Sequence, residues 1–155
     1  MREQATVDVA VAPREAFARL NDHRRLSAHM ASVSPMMAGS SMRLETDERH
    51  GQAIGSRIRL SGRVLGIALS VEEAITVYEP PWHKAWQTLG EPRLLVIGPY
   101  RMGFDVLPLG SGSRVTLWID YGWPRRGVER WLGRLFGRFY ARWCTTQMLG
   151  SLADS

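Results

Sequence analysis

The sequence predicts an α+β fold, a curved antiparallel sheet of about seven strands wrapped around a long C-terminal helix, with two short helices after the first strand. Three observations predict it. Apolar residues alternate with period two through most of the chain, as strands with one buried face require. Two short stretches of helical spacing interrupt that alternation only once, after the first strand. Between Val128 and Leu149 the apolar residues fall at i, i+3, i+4 and i+7, which is roughly six turns of amphipathic helix. Strands in one run, flanked by helices, make an antiparallel sheet rather than a parallel one with crossovers.

Each element has its own signal. Val7, Val9 and Val11 alternate with polar or small residues over Thr6 to Ala12, a strand. Pro13 suits a first helical turn, where its missing N–H costs nothing, and Ala16, Phe17 and Leu20 form one face. Asn21-Asp22 ends this helix and can cap a second around His23 to Met30. Met42 to Glu48 is a strand. Arg57 to Leu65 alternates arginines with Ile58, Leu60 and Val64. Ile67 to Tyr78 carries Leu69, Val71, Ile75 and Val77 on one parity, and Pro80-Pro81 ends it because neither proline donates to a ladder. Trp82 to Leu89 is the next strand, closed by a turn at Gly90-Glu91-Pro92. Leu94 to Leu107 follows, interrupted at Gly98-Pro99. Gly110-Ser111-Gly112-Ser113 is a hairpin turn into Arg114 to Tyr121, where Val115, Leu117, Ile119 and Tyr121 share the buried parity.

Composition bounds the function. The chain has 155 residues, 45% hydrophobic and 23% charged, which predicts one globular domain over residues 1–155 and excludes a disordered chain. One cysteine, Cys144, excludes an internal disulfide framework and a multi-cysteine metal site. No apolar run reaches the ~18–20 residues that span a bilayer, and no signal-peptide core follows Met1, so a cytoplasmic protein is expected. Lys84 is the only lysine; the other basic residues are arginines, and the net charge is +5. Arg126, Arg130, Arg134, Arg138 and Arg142 recur every fourth residue along the last helix. Such a stripe opposite an apolar stripe is what a half-buried helix presents to water. It also fits an anionic membrane surface. No RNA-recognition motif is present, so a nucleic-acid partner is not expected.

Several landmarks occur in a fixed order: V-A-P-R-E-A-F (Val11 to Phe17) after the first strand, V-Y-E-P-P-x-x-x-x-W (Val77 to Trp86), and G-S-R-V-T-L-W-I-D-Y (Gly112 to Tyr121) before the long helix. In that order they resemble the START-like, birch-pollen-allergen-like (SRPBCC) superfamily, and within it the polyketide cyclase/dehydrase and lipid-transport group. The segment Leu26-Ser27-Ala28-His29-Met30 departs from the tryptophan-bearing second helix usual there. The resemblance implies a helix-grip fold with a cavity between sheet and helix that holds a lipid, sterol, quinone or polyketide. Trp86, Tyr100, Met102, Phe104 and Leu117 on the sheet, with Trp131, Leu135 and Phe139 on the helix, are the expected walls. Apolar pocket walls and apolar cores have the same composition, so packing alone also accounts for these residues.

Chemistry is sparse. His23, His29, His50 and His83 show no ligand spacing and no H-E-x-x-H or C-x-x-C occurs, so no metal or other cofactor is expected. Cys144, in Trp143-Cys144-Thr145, reads as a buried structural cysteine, since nothing in the sequence around it marks a reactive thiol. Glu73 shares strand parity with Val71 and Ile75. Buried in a cavity, its carboxyl would titrate high and could transfer a proton; a bulge at Glu72-Glu73 would instead turn both acids to water. Tyr100 and Tyr121 are the other acid/base or ligand-bonding candidates, or else core rings with hydroxyls at the edge. The expectation is a binding or carrier protein for a small hydrophobic ligand, with a cyclase/dehydrase-type enzyme and a membrane- or ribosome-docking accessory protein as alternatives. Oligomeric state is not legible.

Overall fold

The computed structural model describes residues 2–22, 41–64, 67–94, 98–122 and, in the C-terminal segment, 138, 139, 141–143, 145, 146 and 148–150. Its elements in chain order are β1 (Arg2–Val9), α1 (Pro13–Asn21), β2 (Ser41–Thr46), β3 (Arg57–Val64), β4 (Ile67–Glu79), β5 (His83–Arg93), β6 (Tyr100–Leu109) and β7 (Gly112–Tyr121). The seven strands form one antiparallel sheet in the order β1-β7-β6-β5-β4-β3-β2. Strands consecutive from β2 onward pair as neighbours, and β1 closes on β7, so the first strand is placed by the last.

Helix α1 begins at Pro13 as expected and is stapled by an i,i+4 ion pair, Arg19 to Glu15 at 2.6 Å. Its buried face is Ala16, Phe17 and Leu20. It packs on β6 and β7, with the Phe17 ring edge-on to Phe104 at 5.3 Å and to Tyr78 at 6.1 Å. The expected second helix, His23 to Met30, lies outside the described residues.

Two bulges correct the strand readings. Between Ile75 and Val77 the β4–β5 register shifts, so the inner parity passes from Ile75 to Tyr78. Tyr78 packs against the core and Val77 does not join it. Between Ser70 and Glu72 the register shifts again, because Leu89 and Arg93 flank Gly90-Glu91-Pro92 opposite Val71. The expected turn at those residues is thus a bulge inside β5, eased by the positive φ of Gly90 (65°).

Strand β2 ends at Thr46 rather than Glu48 because Asp47 turns inward to organise the next loop. Its Oδ1 accepts from Ser56 Oγ at 2.6 Å and Arg49 N at 3.1 Å, and its Oδ2 accepts from Arg57 N at 3.0 Å. These donors, Ser56 first, hold the Asp47 carboxyl down at about 2. A carboxyl depressed by folding contributes stability that is present above its unfolded value and lost as pH falls through the folded one. Asp47→Asn is therefore expected to lower the denaturation midpoint at pH 7, with the gap to wild type closing between about pH 4 and pH 2. Equal midpoints at pH 7 would show that the loop does not depend on this carboxylate.

In the C-terminal segment every described residue is helical, while Trp131, Leu135, Cys144 and the start of the expected long helix lie outside the described residues. Ala141, Thr145 and Leu149 face the core. Phe139, expected on the apolar side, is 59% exposed. It precedes Ala141 by two residues, about 200° of helical rotation, which turns it away from the sheet. Of the arginine stripe, Arg138 and Arg142 are exposed, at 67% and 69% of their side chains. Arg138 Nε lies 2.8 Å and Arg142 Nε 4.0 Å from the Glu3 carboxylate on β1. No helix among the described residues is long and apolar enough to cross a membrane.

Candidate functional site

The inner face of the sheet is apolar along its middle. Trp86, Met102, Phe104, Leu117 and Ile119 are all buried there, and Trp86 meets Phe104 edge-on at 6.3 Å. Trp86 is 2% exposed and Phe104 and Leu117 are 0% exposed, and Phe17 of α1 packs on Phe104. Polar groups gather at the two ends of this apolar band.

At one end lies Glu73, buried at 3% exposure. The β3–β4 ladder is continuous from Arg57↔Ala74 to Val64↔Ile67, with Ile58 opposite Glu73, so strict alternation keeps Glu73 inward. Glu72 points outward instead, to Arg57 and Arg59 at 3.3 and 3.6 Å. The bulge that would have released Glu73 to water forms in the β4–β5 ladder before it and leaves its parity intact. Tyr100 on β6 reaches across β5 and donates its hydroxyl hydrogen to Glu73 Oε1. Thr88, the partner of Glu73 on β5, accepts from the Tyr100 backbone N–H at 3.2 Å. Tyr121 stands opposite Tyr100 in register, and backbone bonds from Gly98 to Gly122 and from Gly122 to Pro99, both 2.9 Å, hold that end together. The structure thus brings Glu73 and Tyr100 together and aligns Tyr121 beside them. Burial pushes the Glu73 carboxyl up to about 7, against the Tyr100 bond and the positive charge of Lys84. Burial also raises the Tyr121 hydroxyl, helped by Glu3 and opposed by Arg138.

At the other end is Lys84, 1% exposed. Its Nζ donates to the Asn21 backbone oxygen at 3.2 Å and to Asn21 Oδ1 at 2.8 Å. Asn21 Nδ2 donates in turn to the Tyr78 hydroxyl at 3.0 Å. The ammonium therefore satisfies a carbonyl at the C-terminus of α1, where a cation is favoured. Burial pushes Lys84 down to about 7, against the pull of Asp22 and Glu73. Sequence reasoning did not place Lys84 in a site. The available signal was parity, since Lys84 lies two residues from Trp86 on β5 and so on the same face. Trp82, expected to begin this strand, sits just before it and is 42% exposed.

Of the histidines, His50 Nδ1 lies 3.2 Å from Thr46 Oγ1 and His83 Nδ1 lies 2.7 Å from Asp105 Oδ1; His23 and His29 fall outside the described residues. Among the described residues no three His, Cys, Asp or Glu side chains converge as metal ligands would.

The fold is shared with solved structures of low sequence identity. The chain resembles the Zhui aromatase/cyclase from Streptomyces sp. R1128 at 16% identity and a TM-score of 0.70, over 98% of this chain and 90% of that one. It resembles truncated norcoclaurine synthase from Thalictrum flavum at 13% identity and a TM-score of 0.67, over 99% and 91%. TTHA0849 from Thermus thermophilus shares 16% identity at a TM-score of 0.66, over 99% and 95%. No curated protein sequence matches significantly. Residues 2–154 match the family described as polyketide cyclase / dehydrase and lipid transport. With that match over nearly the whole chain, on an antiparallel START-like sheet, the protein belongs to the polyketide cyclase / dehydrase and lipid transport family.

Proposed function

We propose that the protein binds a small, mainly apolar ligand against the inner face of the sheet, with Glu73 and Tyr100 orienting its polar end. One observation carries this reading: a buried carboxyl, bonded by a half-buried phenol, stands at the end of a face that is apolar along its middle. Buried polar groups without a structural partner role are expensive, and ligand sites characteristically set a few converging polar groups in apolar walls. Family membership supports a hydrophobic ligand. Tyr100 and Met102 are the sheet residues proposed to touch it first, with Trp86, Phe104 and Leu117 as the floor. Trp131 and Leu135 are the proposed contacts from the C-terminal segment. The test is thermal shift and direct titration of delipidated protein with lipids, sterols, quinones and aromatic polyketides. Saturable binding that Tyr100→Trp weakens at least ~10-fold supports the reading. No binding by any class ends it.

A second reading, acid–base catalysis on the bound ligand, is favoured by the elevation of the Glu73 carboxyl to about 7. A general acid or base works best with its pKa near the working pH.

A further inference from the structure

We infer that the ligand presents a hydrogen-bond donor to Glu73, so that the inner face selects apolar molecules bearing a hydroxyl over molecules of the same shape without one; this rests on the ligand-binding reading above. Among the described residues, Glu73 receives one hydrogen bond, from Tyr100. An ionised carboxylate has about four lone-pair sites, so most of its accepting capacity is unfilled. Its surroundings do not fill it. Val71 and Ile75 on β4 and Ile58 on β3 are buried hydrocarbon. On β5, Thr88 Oγ1 accepts from Tyr100 N. The hydroxyl hydrogen of Tyr100 is already committed to Glu73. The Thr88 hydroxyl keeps its own hydrogen but makes no hydrogen bond to Glu73, so the wall at this point has carboxylate acceptor sites to offer, and Tyr100, only half-buried, leaves the pair approachable from the core's edge. A site built to bond a hydroxyl rejects the analogue lacking it strongly, because the buried acceptor is then left unpaired.

Among the described residues, the charged neighbours direct their hydrogen bonds elsewhere. Lys84 on β5 directs Nζ at Asn21 O and Oδ1. Tyr78, further along β4, accepts from Asn21. Asp22 acts on Lys84. Across the sheet, Arg138 is held by Glu3 beside Tyr121. Selectivity follows the state of Glu73. Ionised, the carboxyl only accepts; protonated, it also donates. Preference for a donor therefore strengthens as pH rises through about 7.

β-Naphthol and its O-methyl ether, both uncharged between pH 6 and pH 8, isolate the effect. Titration of the intact chain is expected to give at least ~10-fold tighter binding of the naphthol at pH 8, narrowing at pH 6. Glu73→Leu is expected to bind the two alike. Tyr100→Phe, a nearly isosteric change that removes the one donor to Glu73 among the described residues, is expected to widen the preference. Equal affinity of wild type for both probes, or a preference that Tyr100→Phe abolishes, overturns the inference and leaves ligand binding standing. If neither naphthalene binds and no lipid, sterol, quinone or polyketide does, the binding reading itself falls, and the inference with it.

Discussion

Gly103→Ala is expected to destabilise the protein by about 3 kcal/mol, the upper range for overpacking a closed site. A Cβ at this position would lie 2.6 Å from the Lys84 backbone oxygen, 2.6 Å from Trp118 Cζ2 and 3.0 Å from Ala85 Cβ. On the outer face of the sheet the Trp118 indole lies across bare backbone at Gly103, its cross-strand partner. The guanidinium groups of Arg2 and Arg101 stand 4.8 and 5.5 Å from that ring. The added methyl displaces the indole and presses on the strand that carries Lys84 on its other side. Trp118→Ala combined with Gly103→Ala should recover only part of the loss, since the clash with the Lys84 carbonyl remains. Equilibrium denaturation of the two single variants and the double variant reads this directly. A loss below ~1 kcal/mol for Gly103→Ala would mean that the β5–β6 backbone yields easily, contrary to the tight contact.

Glu73→Gln is expected to leave stability nearly unchanged at pH 4 and to raise it by up to about 3 kcal/mol at pH 8. Folding raises the Glu73 carboxyl from 4.5 to about 7, with burial as the largest cause. A group raised in this way contributes stability that is fully present below its unfolded value and lost as pH rises through the folded one. Glutamine keeps an oxygen for the Tyr100 hydroxyl and never ionises, so the variant escapes the loss. Denaturation midpoints measured between pH 4 and pH 8 should diverge with rising pH. Parallel curves would show that Glu73 is hydrated or fully compensated by Lys84. Lys84 titrates in the opposite sense. Lowered from 10.5 to about 7, its contribution is complete above its unfolded value and lost as pH falls through the folded one.

How far the sequence reaches can be judged from particular residues. The parity of Glu73 was legible in the sequence, but whether a bulge would turn it to water was not; the β3–β4 ladder is intact and keeps it inward. Tyr78 was not legible, because a bulge moves it inward and bulges carry no fixed sequence mark. The pairing of Tyr100 with Glu73 spans two strands and 27 residues of chain. It follows from strand order together with side-chain reach, neither of which periodicity reports. Lys84 was overlooked because a charged residue on an apolar parity reads as surface until a buried partner, here Asn21, is known to await it.

The sequence by itself determined the α+β architecture, the antiparallel run of strands, the inward set of Val115, Leu117, Ile119 and Tyr121, and the buried face of α1. These depend on period and turn chemistry, which act over a few residues. Tertiary structure alone decided that β1 closes on β7, that Phe104 meets Phe17 of α1, that Phe139 faces outward, and that Arg138 meets Glu3. It also decided that one carboxyl and one amine share the inner face at opposite ends. Those outcomes depend on which distant segments meet, and burial, the cause of both large pKa displacements, exists only once they have met.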